Sequence, residues 1–97
     1  MPSSFRFRRI LSKVEGYLEL GMPQQALTVL STIDVEHQSR FLVQYLYGLV
    51  YRDLKQYDRA LRYFLQALPE KPESVEVLLA MAWCYKRLDQ LDSAIST

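Results

Sequence analysis

The chain has 97 residues and a mass of 11.4 kDa, which leaves room for one small domain and no second core. Hydrophobic residues make up 49% and charged residues 24%, with 3 Gly and 4 Pro, and this excludes a disordered or collagen-like chain. Twelve Lys and Arg against eleven Asp and Glu leave a formal charge of +1, so the broad positive field of a dedicated nucleic-acid binder or a polybasic membrane anchor is missing.

The N-terminal stretch to Lys13 carries Arg6, Arg8, Arg9 and three serines, with no acid before Glu15. That composition is shared with organelle transit peptides. Ile10, Leu11, Val14, Tyr17 and Leu18, however, form a helical stripe that runs on past the basic cluster, so the spacing predicts an ordered helix with an exposed basic face. Gly21 and then Pro23 mark a turn and the first residue of a second helix. His37 falls in the connection after that helix and is expected to be solvated there.

Over Phe41 to Leu54, Leu42, Tyr45 and Leu49 share one helical face, while Tyr47 and Tyr51, with Gly48 between them, share another. A helix apolar nearly all round must be sandwiched between neighbours. Gly48 costs such a helix about 1 kcal/mol relative to alanine. Close approach of a neighbour explains it, with Ala60 as the expected facing surface. The next helix, about Asp58 to Leu68, is amphipathic: Ala60, Phe64 and Ala67 face inward, and Arg59, Arg62 and Gln66 outward. Asp58 is its expected cap, and Pro69 and Pro72 end the hairpin.

Ser74 caps a helix over Val75 to Leu88, with Leu78, Met81, Ala82 and Tyr85 expected inward and Leu79 and Trp83 elsewhere. Asp92 is expected to open a last short helix to Thr97, whose Leu91, Ala94 and Ile95 would lack a cover. No segment asks for a strand. The longest apolar run, Val77 to Tyr85, is nine residues, short of the roughly 18 that suggest a membrane span. The single cysteine, Cys84, rules out an internal disulfide or a cysteine zinc cage. It is expected to be a buried thiol, and a reducing, cytoplasmic setting is the default.

Tyr17, Tyr51 and Tyr85 recur at 34 residues, and Ala26, Ala60 and Ala94 come nine residues after each. The unit from 41 to 74 is the fullest, with Gly48, Tyr51, Ala60, Phe64, Ala67 and Pro72. In the unit from 7 to 40, Val14, Leu30 and Ile33 replace Gly48, Phe64 and Ala67. The unit from 75 to 97 has Ala82, Tyr85 and Ala94 but stops before its phenylalanine and proline. This pattern resembles the tetratricopeptide repeat, a 34-residue helix-turn-helix unit. The resemblance implies an all-α fold over residues 1–97, an α-solenoid with right-handed superhelical sense, built of about three units of which the last is incomplete. Such units are stabilised by stacking. The chain is therefore expected to be a fragment of a longer array or to use a second copy as its cap.

The resemblance also implies a concave groove lined by the first helix of each unit. By position its lining is Leu11, Glu15 and Leu18, then Leu42, Tyr45, Leu49 and Arg52, then Leu79, Trp83 and Lys86. A greasy, aromatic centre of this kind suits an apolar helix or extended peptide, since Tyr and Trp are enriched in interface hot spots. Arg52, Lys86 and Arg87 are expected in the last turns of their helices, complementing the dipole. Family members that grip chaperone C-termini use basic and amide residues where this chain has Leu11, Glu15, Leu46, Glu76 and Ala80, so no such binding is expected.

With one His, one Cys, no phosphate loop and no metal-ligand spacing, neither an enzyme nor a cofactor is expected. The partner is expected to be a protein or peptide, with neither nucleic acid nor membrane. Pairing of two copies through the incomplete unit is the alternative. RNA binding of the pentatricopeptide kind is disfavoured by the period and by the near-neutral groove; if it occurred, it would use Arg6, Arg8 and Arg9.

Overall fold

The structure, a computed structural model, describes the backbone of residues 2–37 and 40–96 and the side chains of residues 6–34, 36, 37 and 40–90. Among them there are five α-helices and no strand: α1 (Pro2–Glu19), α2 (Pro23–Leu30), α3 (Phe41–Asp53), α4 (Tyr57–Ala67) and α5 (Val75–Ser96). A short 3₁₀ turn, Val35–His37, joins α2 to α3. Helices adjacent in sequence pack against each other, α1 and α5 also touch α3, and the stack measures 55 × 28 × 20 Å.

The two hairpin turns are built alike. After α1, Gly21 has φ 71° and donates its N–H to the carbonyl of Leu18, and Met22 donates to that of Tyr17. After α3, Lys55 has φ 66° and donates to Arg52, and Gln56 donates to Tyr51. Both are the paired bonds of a left-handed helix ending, which satisfies carbonyls the helix leaves open. α2 and α4 then begin from Met22 and Gln56 without a side-chain cap. Asp58, expected as the cap of α4, lies inside its first turn, where a carboxylate complements the dipole. At α5, by contrast, Ser74 is the cap: its Oγ accepts the N–H of Val77 at 3.4 Å and donates to Glu76 at 3.1 Å.

α3 is the sandwiched helix. Val43, Leu46 and Val50, spaced i, i+3, i+7, are buried with Val14, Ala26, Leu30 and Ile33 in a core shared with α1 and α2. Tyr45 leans the other way, onto a second core of Ala60, Leu61, Phe64, Val77, Ala80, Met81 and Cys84, and Leu49 packs against both cores. Gly48 is buried where the ring of Phe64 crosses, and a Cβ there would overlap that ring. The close approach is thus to Phe64, not to Ala60, because an aromatic ring reaches across the hairpin where a methyl does not. Tyr63 stacks on both Tyr47 and Tyr51 at centroid distances of 4.9 and 5.5 Å, closing the outer side of the same hairpin.

The C-terminal part differs from expectation. No turn forms near Asp89, and α5 runs unbroken to Ser96, so Asp92 lies within a helix instead of capping one. Asp89 stands in the place of Lys55, and a left-handed turn at such a residue carries strain that a packed helix must offset, as α4 does after Lys55. One consequence is that Leu78, Ala82 and Tyr85 are exposed, contrary to their expected inward placement, while Met81 and Cys84 are buried as expected, together with Val77 and Ala80. The side chains of Leu91, Ala94 and Ile95 lie outside the described residues.

α1 is one helix whose Arg6, Arg8, Arg9 and Lys13 are exposed, with Val14 buried and Ile10, Leu11, Tyr17 and Leu18 half-buried, as the stripe required. His37 is not a freely solvated loop residue: its ring stacks on Phe7 at 4.6 Å. No helix among the described residues is long and apolar enough to cross a membrane.

Candidate functional site

α3 and α5 run side by side in the same direction. Phe41, Leu42 and Tyr45, early in α3, share a hollow with Glu76, early in α5. Further along, the Arg52 guanidinium lies near enough to Cys84 to favour its thiolate, although burial outweighs this and pushes the thiol above its ordinary range. Of the expected groove residues, Leu42 and Tyr45 line the hollow at the start of the seam between these helices.

Tyr45 and Leu49 are half-buried at the floor, each packed on the second core. The Tyr45 ring lies 6.0 Å from Phe64 and 6.1 Å from Phe41, nearly parallel to the latter. Its hydroxyl is pushed above the usual tyrosine range mainly by burial, with Arg52 opposing and Glu76 adding to the rise. Leu42 is exposed on one lip. On α5 Leu79 is 66% and Trp83 44% exposed, so neither is spent on the core. Arg87 holds its guanidinium 4.4 Å from the centre of the Trp83 ring, a contact that fixes the indole without covering its free face.

Arg52 is half-buried in the last turn of α3 and pairs with Asp53 at 3.2 Å. Lys86 is exposed next to Trp83. Because α5 continues to Ser96, Lys86 and Arg87 sit in mid-helix and do not complement its dipole as expected. Leu11 and Leu18 are partly spent on the first core, and Glu15 is exposed. The α1 part of the groove is therefore the least apolar. Of the positions that would hold a chaperone tail, Leu46 and Ala80 are buried and Glu15 and Glu76 carry the wrong sign.

A hollow of about 670 Å³ occupies one end of the seam, lined by Phe41, Leu42, Tyr45, Lys71, Pro72, Glu73, Ser74 and Glu76. Leu42 and Tyr45 were expected there. Phe41 and the loop residues were not, because a pattern of helical faces says nothing of where the connection before α5 folds. The one sequence signal for it is Pro72, which keeps that segment out of the helix and beside the groove mouth. Among the described residues no cluster of three or more His, Cys, Asp or Glu could hold a metal ion.

Residues 51–97, from the end of α3 through α5, match the family model of the tetratricopeptide repeat. Over these residues the chain carries the tetratricopeptide repeat. No curated protein and no solved structure gives a significant match. Tetratricopeptide repeats are typically non-enzymatic modules that mediate protein–protein interaction, and the all-α stack of hairpins seen here is the expected form of such a repeat.

Proposed function

We propose that this repeat protein is a non-catalytic adaptor that binds an apolar helix or extended segment of a partner protein along the α3–α5 groove. The observation that supports this reading is that Leu79 and Trp83 are left 66% and 44% exposed on α5, the helix whose Glu76 shares an open hollow with Phe41, Leu42 and Tyr45 of α3. Burying two such side chains is worth about 1.5 to 3 kcal/mol each, enough to anchor a segment whose flanks contribute little. The test is affinity capture with wild type, the Leu79→Ala/Trp83→Ala double variant and an Arg62→Ala control on the outer face of α4. The reading expects partners that the control retains and the double variant loses. Equal recovery by all three discards it.

A second reading is favoured by a separate observation. Leu78 is 46% and Tyr85 54% exposed on the side of α5 that corresponds to the α3 face covered by α4. A second copy covering this stripe would form a homodimer by a self-complementary contact. Sedimentation over a wide concentration range decides it: dimer in wild type and monomer in Tyr85→Glu is the outcome expected, whereas monomer throughout removes the idea.

A further inference from the structure

The two ends of the α3–α5 pair differ in charge. The hollow at the start of the seam carries Glu73 and Glu76 against a single cation, Lys71, and the Lys71 ammonium lies 4.9 Å from the centre of the Phe41 ring. Past the other end of α3 a hollow of about 490 Å³ between the start of α4 and α5 is lined by Lys55, Tyr57, Arg87 and Gln90, with no acid in its wall; of the acids near it, Asp53 is paired with Arg52 and Asp58 shares a separate hollow with Lys55. Lys86 adds an exposed charge beside it. Along the helices Leu49 stands between Tyr45 and Lys55, and Leu79 and Trp83 between Glu76 and Arg87. α1 does not share this order, since Arg8 stands near its start and the exposed Glu15 and Glu19 further along. The asymmetry therefore belongs to the two hollows beside α5, one shared with the start of α3 and one with the α3–α4 turn and the start of α4.

Resting on the adaptor reading, we propose that the occupant is a segment of another protein with charges in a fixed order. A basic group sits against Glu73 and Glu76, apolar side chains cover Leu49, Leu79 and Trp83, and an acidic group reaches Lys55 and Arg87. Charges on solvated walls set direction and register more than tightness. Glu76 and Arg87 stand eleven residues apart on one helix, about 16 Å at 1.5 Å per residue. The ligand's own charges must match that span, which takes about eleven residues of helix or about five of extended chain.

The experiment is selection of displayed random dodecamer peptides on the full chain and on a charge-swapped form carrying Glu73→Lys, Glu76→Lys, Lys55→Glu and Arg87→Glu, all four positions being exposed. Wild type is expected to enrich peptides with Lys or Arg on one side of an apolar centre and Asp or Glu on the other, and the swapped form to enrich the reverse order. A synthetic wild-type-selected peptide should bind the swapped form at least about fivefold more weakly, with the difference fading in high salt. If the fourfold form does not fold, Glu76→Gln and Arg87→Gln should each weaken that peptide about twofold. Enriched peptides with an apolar centre and no charge order, bound equally by both forms, overturn the charge order and leave the groove standing. Absence of any enrichment, or enrichment undiminished in Leu79→Ala/Trp83→Ala, overturns the groove itself.

Discussion

In the first hairpin Val14 and Leu30 hold the places that Gly48 and Phe64 hold in the second, and all four are buried. The larger residue on one helix is offset by the smaller on its partner, so the two hairpins fill the same space by different divisions. Gly48→Ala improves helix propensity by about 1 kcal/mol but drives a methyl into the Phe64 ring, an overpacking cost of about 1 to 3 kcal/mol. We expect net destabilisation, and worse for Gly48→Val. Adding Phe64→Leu to Gly48→Val should recover at least about 1 kcal/mol in denaturant unfolding, because the pair then copies the first hairpin. Strict additivity of the two changes would disprove the exchange. At the same scale, burial pushes the Cys84 thiol above its ordinary 9.0, and the Tyr45 and Tyr63 hydroxyls above 10.0. The folded state favours the protonated forms, so stability should be level below about pH 9 and fall as the unfolded chain's thiol and phenols ionise above it. Unfolding midpoints that rise from pH 9 to 11 would refute this.

At the scale of the element, the hairpin turns show what the pattern of side chains discloses and what it does not. Gly21 announces the first left-handed ending in the sequence. Lys55, which adopts the same φ, does not, since a lysine carries no mark of the strain it is made to bear. Lys55→Gly should therefore stabilise the protein by about 1 kcal/mol, read as a higher unfolding midpoint with unchanged slope, and a lower midpoint would contradict the account. Helix faces were legible for the same reason as Gly21: the spacing of Ala60, Phe64 and Ala67 fixes which side of α4 is buried whatever lies against it. The course of α5 was not legible, because whether a turn forms at Asp89 depends on a packing partner and not on the residues at the turn. Leu78, Ala82 and Tyr85 shared that error, since the face they were assigned exists only if a helix folds back onto it. His37 was missed because its neighbour in space, Phe7, lies thirty residues away in the chain.

For the whole molecule, two cores joined through α3 give a short stack with one seam open and one helix face open. The 34-residue period was enough to foresee the all-α stack of hairpins. It could not foresee the hollow made with the loop before α5, nor the opposite charges at the two ends. The proposed function rests on the seam, and the chain holds a reporter for it, since Trp83 is its single tryptophan. The most direct test is a titration of a selected peptide monitored at once by calorimetry and by Trp83 emission. The account predicts that emission shifts to shorter wavelength and becomes shielded from iodide quenching, saturating at the calorimetric stoichiometry. Binding by calorimetry with Trp83 emission and quenching unchanged would place the ligand elsewhere and contradict it.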